Sequence, residues 1–330
     1  MMPKEELLFL NEADVLALLT PADAIAAAED TFRHIGLGDV TVGKMVMLYA
    51  DEDQKNNFHS MPAVLRHEGV SGVKWIDTYS APLPGYPFSH GNLVILSDLA
   101  TGSPIALVGA TNITTMRTAG GHGVVQAKHL ANPDPEILSV FGCGAQACAG
   151  IAGFLEGFPS LKQVRLFSRS RGPMEAVRDQ YAGRVEVVLC ATPEETLYGS
   201  NLVLMASGAR EPLVTAAQLR PGMTVIGIEG FRDLEPAIAR AADKWYLGYC
   251  VTDQHDILES PRLNPGGTLS MADVYGDMTE LLTGRVAGRE REDEVIVSTH
   301  MGLGAHDVRC AATVYRRALA RGMGQLLRLV

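Results

Sequence analysis

Ile137-Leu138-Ser139-Val140-Phe141 leads directly into Gly142-Cys143-Gly144-Ala145-Gln146-Ala147, and further on Val164-Arg165-Leu166-Phe167 is followed by Ser168-Arg169-Ser170-Arg171. The first run is short, apolar and bounded by glycine, as a buried strand is. Gly142-x-Gly144-x-x-Ala147 then fits a dinucleotide fingerprint ending in alanine. The first glycine allows a tight turn, the second lets the backbone approach a pyrophosphate, and the small third residue lets a helix lie close on its strand. A helix starting there offers free N–H groups and a partial positive charge to an anion. The same glycines can build a strand-to-helix turn that binds nothing. The strand before, the helix after and the second strand beyond give the pattern its nucleotide meaning.

The end of the second strand sets which nucleotide is held. An acidic residue there suits the free ribose 2′-hydroxyl of NAD, whereas arginine suits the 2′-phosphate of NADP. This chain places Ser168, Arg169 and Arg171 there, with no Asp or Glu among them. NADP(H) is therefore expected ahead of NAD(H); the plainer reading is a pair of solvated surface arginines.

Outward from this stretch, strand-like runs at 137–141, 164–167, 185–189, 202–205, 224–228 and 245–251 alternate with helical ones, such as 145–156 and 173–181. Such alternation predicts parallel strands with helices on both sheet faces. Nearer the N-terminus, helical patterns at 11–19 and 20–35 precede short β-type runs at 45–49, 72–79, 92–96 and 104–108. Thr20 is placed to cap the second helix, with Pro21 at its first position. A helix is expected over 112–130, a break at Asn132-Pro133-Asp134-Pro135, and a last amphipathic helix over 309–329. Glu290, Glu292, Asp293 and Glu294 read as solvated surface charge.

The chain has 330 residues, enough for about two domains, and a net charge of −10. It has no basic block, which disfavours a nucleic-acid partner. No apolar run reaches the ~18 residues of a spanning helix, and no secretory pattern opens the chain. A cytoplasmic protein without membrane association is expected. The five cysteines lack Cys-x-x-Cys spacing, and His300 and His306 lack ligand spacing, so no metal is expected.

Chemistry outside the nucleotide motif rests on a few residues. Lys74 sits in Gly72-Val73-Lys74-Trp75-Ile76, and Arg117 lies between Asn112-Ile113-Thr114-Thr115-Met116 and Thr118-Ala119-Gly120-Gly121. A cation in such apolar surroundings needs an anion, either a substrate carboxylate or an internal one. Lys44 and His90 are further polar candidates; His90 either lines a pocket mouth or is simply packed or solvated. Met61 is core or pocket lining.

Several segments together resemble one family. They are Met61-Pro62-Ala63, Gly72-Val73-Lys74, Asp98-x-x-Thr101-Gly102-x-Pro104, Ile113-Thr114-x-x-Arg117-Thr118-Ala119, Gly142-x-Gly144-x-Gln146-Ala147, Glu280-Leu281-Leu282-Thr283-Gly284-Arg285 and Gly302-Leu303-Gly304-x-x-Asp307. In this order they resemble the ornithine cyclodeaminase/μ-crystallin family over almost the whole chain. The resemblance implies an α/β fold in which a Rossmann-type, doubly wound parallel sheet (123–302) is inserted into an α+β substrate and dimerisation domain (1–122 with 303–330). It implies a homodimer acting on a small α-imino or α-amino acid at the bond between the α-carbon and nitrogen. Carried onto this chain, Arg117 holds the substrate carboxylate and Lys74 faces the reacting centre; Lys44 is placed to assist Arg117, and Met61 and His90 are the further candidate substrate contacts. Glu229 is a second acid/base candidate. Gln146, Ser207 and Gly302 join Gly142, Gly144 and Ala147 among the expected nucleotide contacts.

The activity implied is that of a ketimine or 1-pyrroline-2-carboxylate reductase, or an amino-acid dehydrogenase. Two alternatives stay open: an ornithine or lysine cyclodeaminase, which releases ammonia, and an inactive NADPH-binding protein. Two departures bear on the choice. Lys44 stands where many members carry arginine and lacks its planar fork. Glu229 falls nearest the aspartate of cyclodeaminases, without the proline and lysine that follow it there, which weakens the lyase reading.

Overall fold

The computed structural model describes residues 6–52, 56–79 and 91–329. Its contacts divide the chain into two units, Met1–Arg117 with Leu303–Val330, and Thr118–Gly302.

The first unit is built on an eight-stranded sheet. Its strands are β1 (Glu6–Leu10), β2 (Val40–Val42), β3 (Val46–Tyr49), β4 (Asn57–Leu65), β5 (Val70–Thr78), β6 (Leu93–Asp98), β7 (Pro104–Gly109) and, from the far end of the chain, β16 (Gln325–Arg328). Their order is β16-β1-β7-β6-β5-β4-β2, with β3 also on β4. Met61, Ala63 and Leu65 of β4 are buried while the residues between them are half-buried. This period of two marks a sheet covered on one face. The cover includes α7 (Gly304–Arg321), seated so closely that a methyl group on Gly304 would lie 2.6 Å from the Met61 carbonyl oxygen. Beside it lies α2 (Pro21–Leu37), which follows α1 (Glu12–Leu18). Thr20 caps α2 as expected: its hydroxyl accepts from Asp23 N, the Asp23 carboxylate accepts from Thr20 N, and Pro21 opens the helix. On the opposite sheet face Trp75 and Ile95 are 40% and 43% exposed, and the Phe58 ring stacks on Trp75.

The last helix differs from expectation. It spans Gly304–Arg321, earlier at both ends than 309–329, and stops at Gly322 with φ +63°. Gly324 is also left-handed, at φ +93°, so the chain reverses and β16 pairs antiparallel with β1.

The second unit holds an all-parallel sheet. Its strands are β8 (Ile137–Phe141), β9 (Gln163–Phe167), β10 (Glu186–Leu189), β11 (Leu202–Met205), β12 (Thr224–Gly227), β13 (Lys244–Leu247), β14 (Gly276–Asp277) and β15 (Ile296–Thr299). They run in the order β10-β9-β8-β11-β12-β15-β13-β14. From β8 the chain steps one way to β9 and β10, then returns to β11 on the other side, which is the doubly wound switch. Every residue of β11 and β12 is buried, as strands covered on both faces must be. The strand β15 was not legible in the sequence. The charged run before it is not all solvated: Glu294 is buried and lies 3.2 Å from the buried ammonium of Lys244.

The expected helix over 112–130 is three pieces: α3 (Thr111–Arg117), a π-helical turn (Thr118–Gly123) and α4 (Val124–Leu130). The π-turn packs on α5 (Ala145–Gly157). A methyl on Gly120 would lie 2.7 Å from the Ala149 carbonyl oxygen, and one on Gly153 would lie 2.3 Å from that of Gly120. This contact places the division after Arg117 rather than after residue 122. Among the described residues no helix is long and apolar enough to cross a membrane.

Candidate functional site

The glycine turn caps β8 in the second unit. Gly142 has φ +113°, and a methyl there would lie 2.2 Å from the Ala206 carbonyl oxygen, so only glycine serves. Its N–H donates to Phe167 O at 2.8 Å, tying the turn to the end of β9. Gly144 is the N-cap of α5 and is exposed, with open space where a side chain would be. Among the described residues no side chain caps this helix, and no acidic residue lies in its first turn. Ala147 is fully buried, and a methyl on Gly150 would strike Leu204 at 2.4 Å, so α5 rests directly on the sheet. An open approach, an uncapped helix start and absent negative charge fit a pyrophosphate.

At the end of β9, Ser168 is half-buried and Arg169 is exposed. Arg171 opens α6 (Arg171–Gln180) and pairs with Glu175 at 3.0 Å on the surface. The Gln146 side chain turns to the π-turn, accepting from Ala119 N at 3.3 Å. Gly302 has φ +83° and donates its N–H to His300 Nδ1 at 3.1 Å.

Two buried carboxylates, neither anticipated, organise loops beyond the carboxyl ends of the parallel strands. Asp233 accepts from Ser207 N at 3.0 Å and from Ser207 Oγ at 2.7 Å. Burial pushes it up to about 6, and Glu229 adds to the rise. Asp253 accepts from Gly248 N at 2.9 Å, Tyr249 N at 3.1 Å and Met301 N at 3.2 Å. It is wholly buried, which pushes it up to about 7. Glu229 itself is half-exposed and paired with Arg232.

The first unit holds a buried charge cluster. Lys74 points from β5 to the covered face, Arg117 ends α3, and Asp307 lies in the first turn of α7. Arg117 Nε donates to Asp307 Oδ1 at 3.0 Å. Lys74 Nζ forms an ion pair with Asp307 Oδ2 at 3.0 Å and donates to Thr114 Oγ1 at 3.3 Å. Lys74 and Asp307 are 0% exposed and Arg117 is 4%. Two cations thus share one carboxylate, leaving a surplus positive charge out of water. Among the described residues Arg117 Nη1 has no hydrogen-bond partner. Burial, then the Arg117 charge, lowers Lys74 to about 8, with Asp307 opposing. The neighbouring His306, packed edge-on against Phe32, is held well below its ordinary range by burial and by both cations.

Met61 is buried and lies opposite Lys74 in the β4–β5 register. Lys44 is exposed ahead of β3, and no contact among the described residues joins it to the cluster. His90 lies outside the described residues. Asp307 is the residue that local reading missed. It is 190 positions from Arg117, and its one signal was its place in Gly302-Leu303-Gly304-x-x-Asp307. Two other groups gather ligand-type atoms, Asp30 with His34 and His67, and Cys250 with Asp277 and Glu280. Their atoms are engaged nearby: Asp30 with Arg309 at 2.8 Å, and Asp277 with the N–H groups of Cys250, Thr279 and Glu280.

The chain is 27% identical over 332 residues to the alanine dehydrogenase of Archaeoglobus fulgidus, covering 98% of each. It is 26% identical over 283 residues to a Delta(1)-pyrroline-2-carboxylate reductase of Bacillus cereus, covering 83% of this chain and 85% of the other. An archaeal alanine dehydrogenase dimer with bound NAD matches the structure with a TM-score of 0.88 at 26% identity, covering 98% of this chain and 100% of that one. The family model for ornithine cyclodeaminase/mu-crystallin matches residues 5–322, and the chain belongs to that family.

Proposed function

We propose that this protein is an NADP(H)-dependent oxidoreductase acting on the C–N bond of an α-imino or α-amino acid, and that it works as a homodimer. One observation carries the substrate reading: the surplus buried positive charge of Lys74 and Arg117 around Asp307, with Arg117 Nη1 left as an unused donor. A small carboxylate neutralises that charge. Alanine and pyrroline-2-carboxylate, the compounds named for two relatives, both carry a carboxylate beside a nitrogen-bearing carbon.

Arg117 takes the carboxylate while its Nε stays on Asp307, so the guanidinium is aligned before substrate arrives. Lys74, lowered to about 8, is suited to give a proton to the substrate nitrogen or take one from it near neutral pH. Asp307 holds both cations in place. Gly142, Gly144 and the start of α5 would hold the pyrophosphate, and Arg169, with Ser168 beside it, the 2′-phosphate. Bound there, the nicotinamide supplies hydride to an imine or accepts it from an amine.

A second copy would cover the sheet face that carries Trp75 and Ile95; a relative at 26% identity is described as a dimer. Light scattering tests this, with a monomer at micromolar concentration as the refuting result. The activity test is spectrophotometric. Purified protein should oxidise NADPH with cyclic or acyclic ketimines, or reduce NADP with an amino acid. Ammonia release from ornithine or lysine without net NADPH change would establish the lyase instead.

A further inference from the structure

Asp233 is 3% exposed, and among the described residues no ion pair joins it. A carboxylate in that state must be solvated by protein donors. Two of its donors come from one residue: Ser207 N and Ser207 Oγ both reach Asp233 Oδ2. The Asp233 carbonyl also accepts from Leu213 N at 2.8 Å. The loop after β11 is thus tied at two points to the segment after β12.

That loop is the wall of the glycine turn. Ala206 N donates to Phe141 O at 2.9 Å, and a methyl on Gly142 would lie 3.1 Å from the Ser207 Cα. Close packing of this kind passes on small displacements. The bond also fixes a polarity. A serine hydroxyl has one proton and two lone pairs. Ser207 gives its proton to Asp233 and accepts from Ala209 N at 3.2 Å. What remains is a lone pair. An acceptor suits a ligand N–H or O–H and repels a phosphate oxygen.

We propose that Asp233 is a positioning residue for the nucleotide: it makes Ser207 an acceptor for a hydrogen-bond donor on the nucleoside part of the cofactor, either the carboxamide N–H or a sugar hydroxyl, and braces the Gly142 turn. This deepens the reading of that turn as a dinucleotide site and rests on it.

The test is direct binding by titration calorimetry, using NADPH and its 3-acetylpyridine analogue, which has no carboxamide N–H. Loss of one such bond weakens binding about tenfold. Ser207→Ala should therefore bind NADPH about tenfold less tightly. If the donor is the carboxamide, the analogue binds this variant and the wild type alike; if it is a sugar hydroxyl, both ligands weaken. Asp233→Ala should lose at least as much, while Asp233→Asn, whose amide oxygen can accept from Ser207, should recover most of the affinity at a similar melting temperature. A merely structural role would move melting temperature and leave the affinity of folded protein unchanged. Unchanged NADPH affinity in Ser207→Ala overturns the inference, even if Asp233→Ala does not fold. Wild-type protein that binds neither NADPH nor NADH overturns the nucleotide reading itself.

Discussion

Replacing Asp307 by asparagine removes the carboxylate that pairs with both Lys74 and Arg117 and keeps the shape. In the wild type at pH 6 Lys74 carries its charge, being lowered only to about 8. Stripping the partner from buried charges costs about 3–5 kcal/mol, which for a protein of this size is a fall in Tm of roughly 4–7 °C. The cost should shrink as pH rises. In the wild type Lys74 is lowered from 10.5 to about 8; between those values the unfolded chain binds more protons, so stability increases with pH. Asp307 acts to raise Lys74, so its loss moves the lower edge of that window further down. Thermal melts at pH 6 and pH 9 read the difference, which should be larger at pH 6. A second arm uses acetate against chloride at equal ionic strength. Acetate supplies the missing anion and should raise the variant's Tm more than the wild type's. A variant as stable as wild type at pH 6, and indifferent to acetate, would refute the claim that this cluster carries surplus positive charge.

Arg117→Lys keeps the charge and loses the fork, so KM for the amino or imino acid should rise at least tenfold with nucleotide affinity unchanged. Gly142→Ala places a methyl 2.2 Å from the Ala206 carbonyl oxygen at φ +113°; about 1–3 kcal/mol of stability and measurable NADPH binding should both be lost. Arg169→Ala should weaken NADPH about tenfold while sparing NADH, as a charge-assisted phosphate contact requires; equal loss for both nucleotides would place the 2′-phosphate elsewhere. Asp253 is raised to about 7 from 3.8, so the folded protein holds the extra proton and wild-type stability should fall as pH rises through that window, by at most ~1.4 kcal/mol per pH unit. Urea midpoints of Asp253→Asn against wild type from pH 5 to 8 should converge or cross as pH rises.

The features legible in the sequence were those whose physics is local. The Gly142 turn, the Thr20 cap with Pro21, and the βα alternation all depend on neighbours a few residues apart. Lys74 and Arg117 stood out because a cation in apolar surroundings is conspicuous. Their partner did not, since the Asp307 contact closes a long loop and leaves no periodic trace. The strand β15 was hidden by the charges before it, because the burial of Glu294 involves a long-range partner, Lys244 on another strand. Asp233, four residues beyond the candidate Glu229, is likewise set apart only by tertiary packing. The exposed carboxylate pairs with Arg232 and the buried one holds Ser207.

The π-turn at Thr118–Gly123 works like a phase shifter between two straight helical stretches. Its hydrogen bonds step over one more residue than those of an α-helix, so Thr118 at its start and Val124 after it do not follow one uniform wheel. Deleting a single residue there would turn the face that α4 presents within the second unit by roughly 100°. Length within those six positions is therefore under tighter constraint than the identity of most residues in the helices they join.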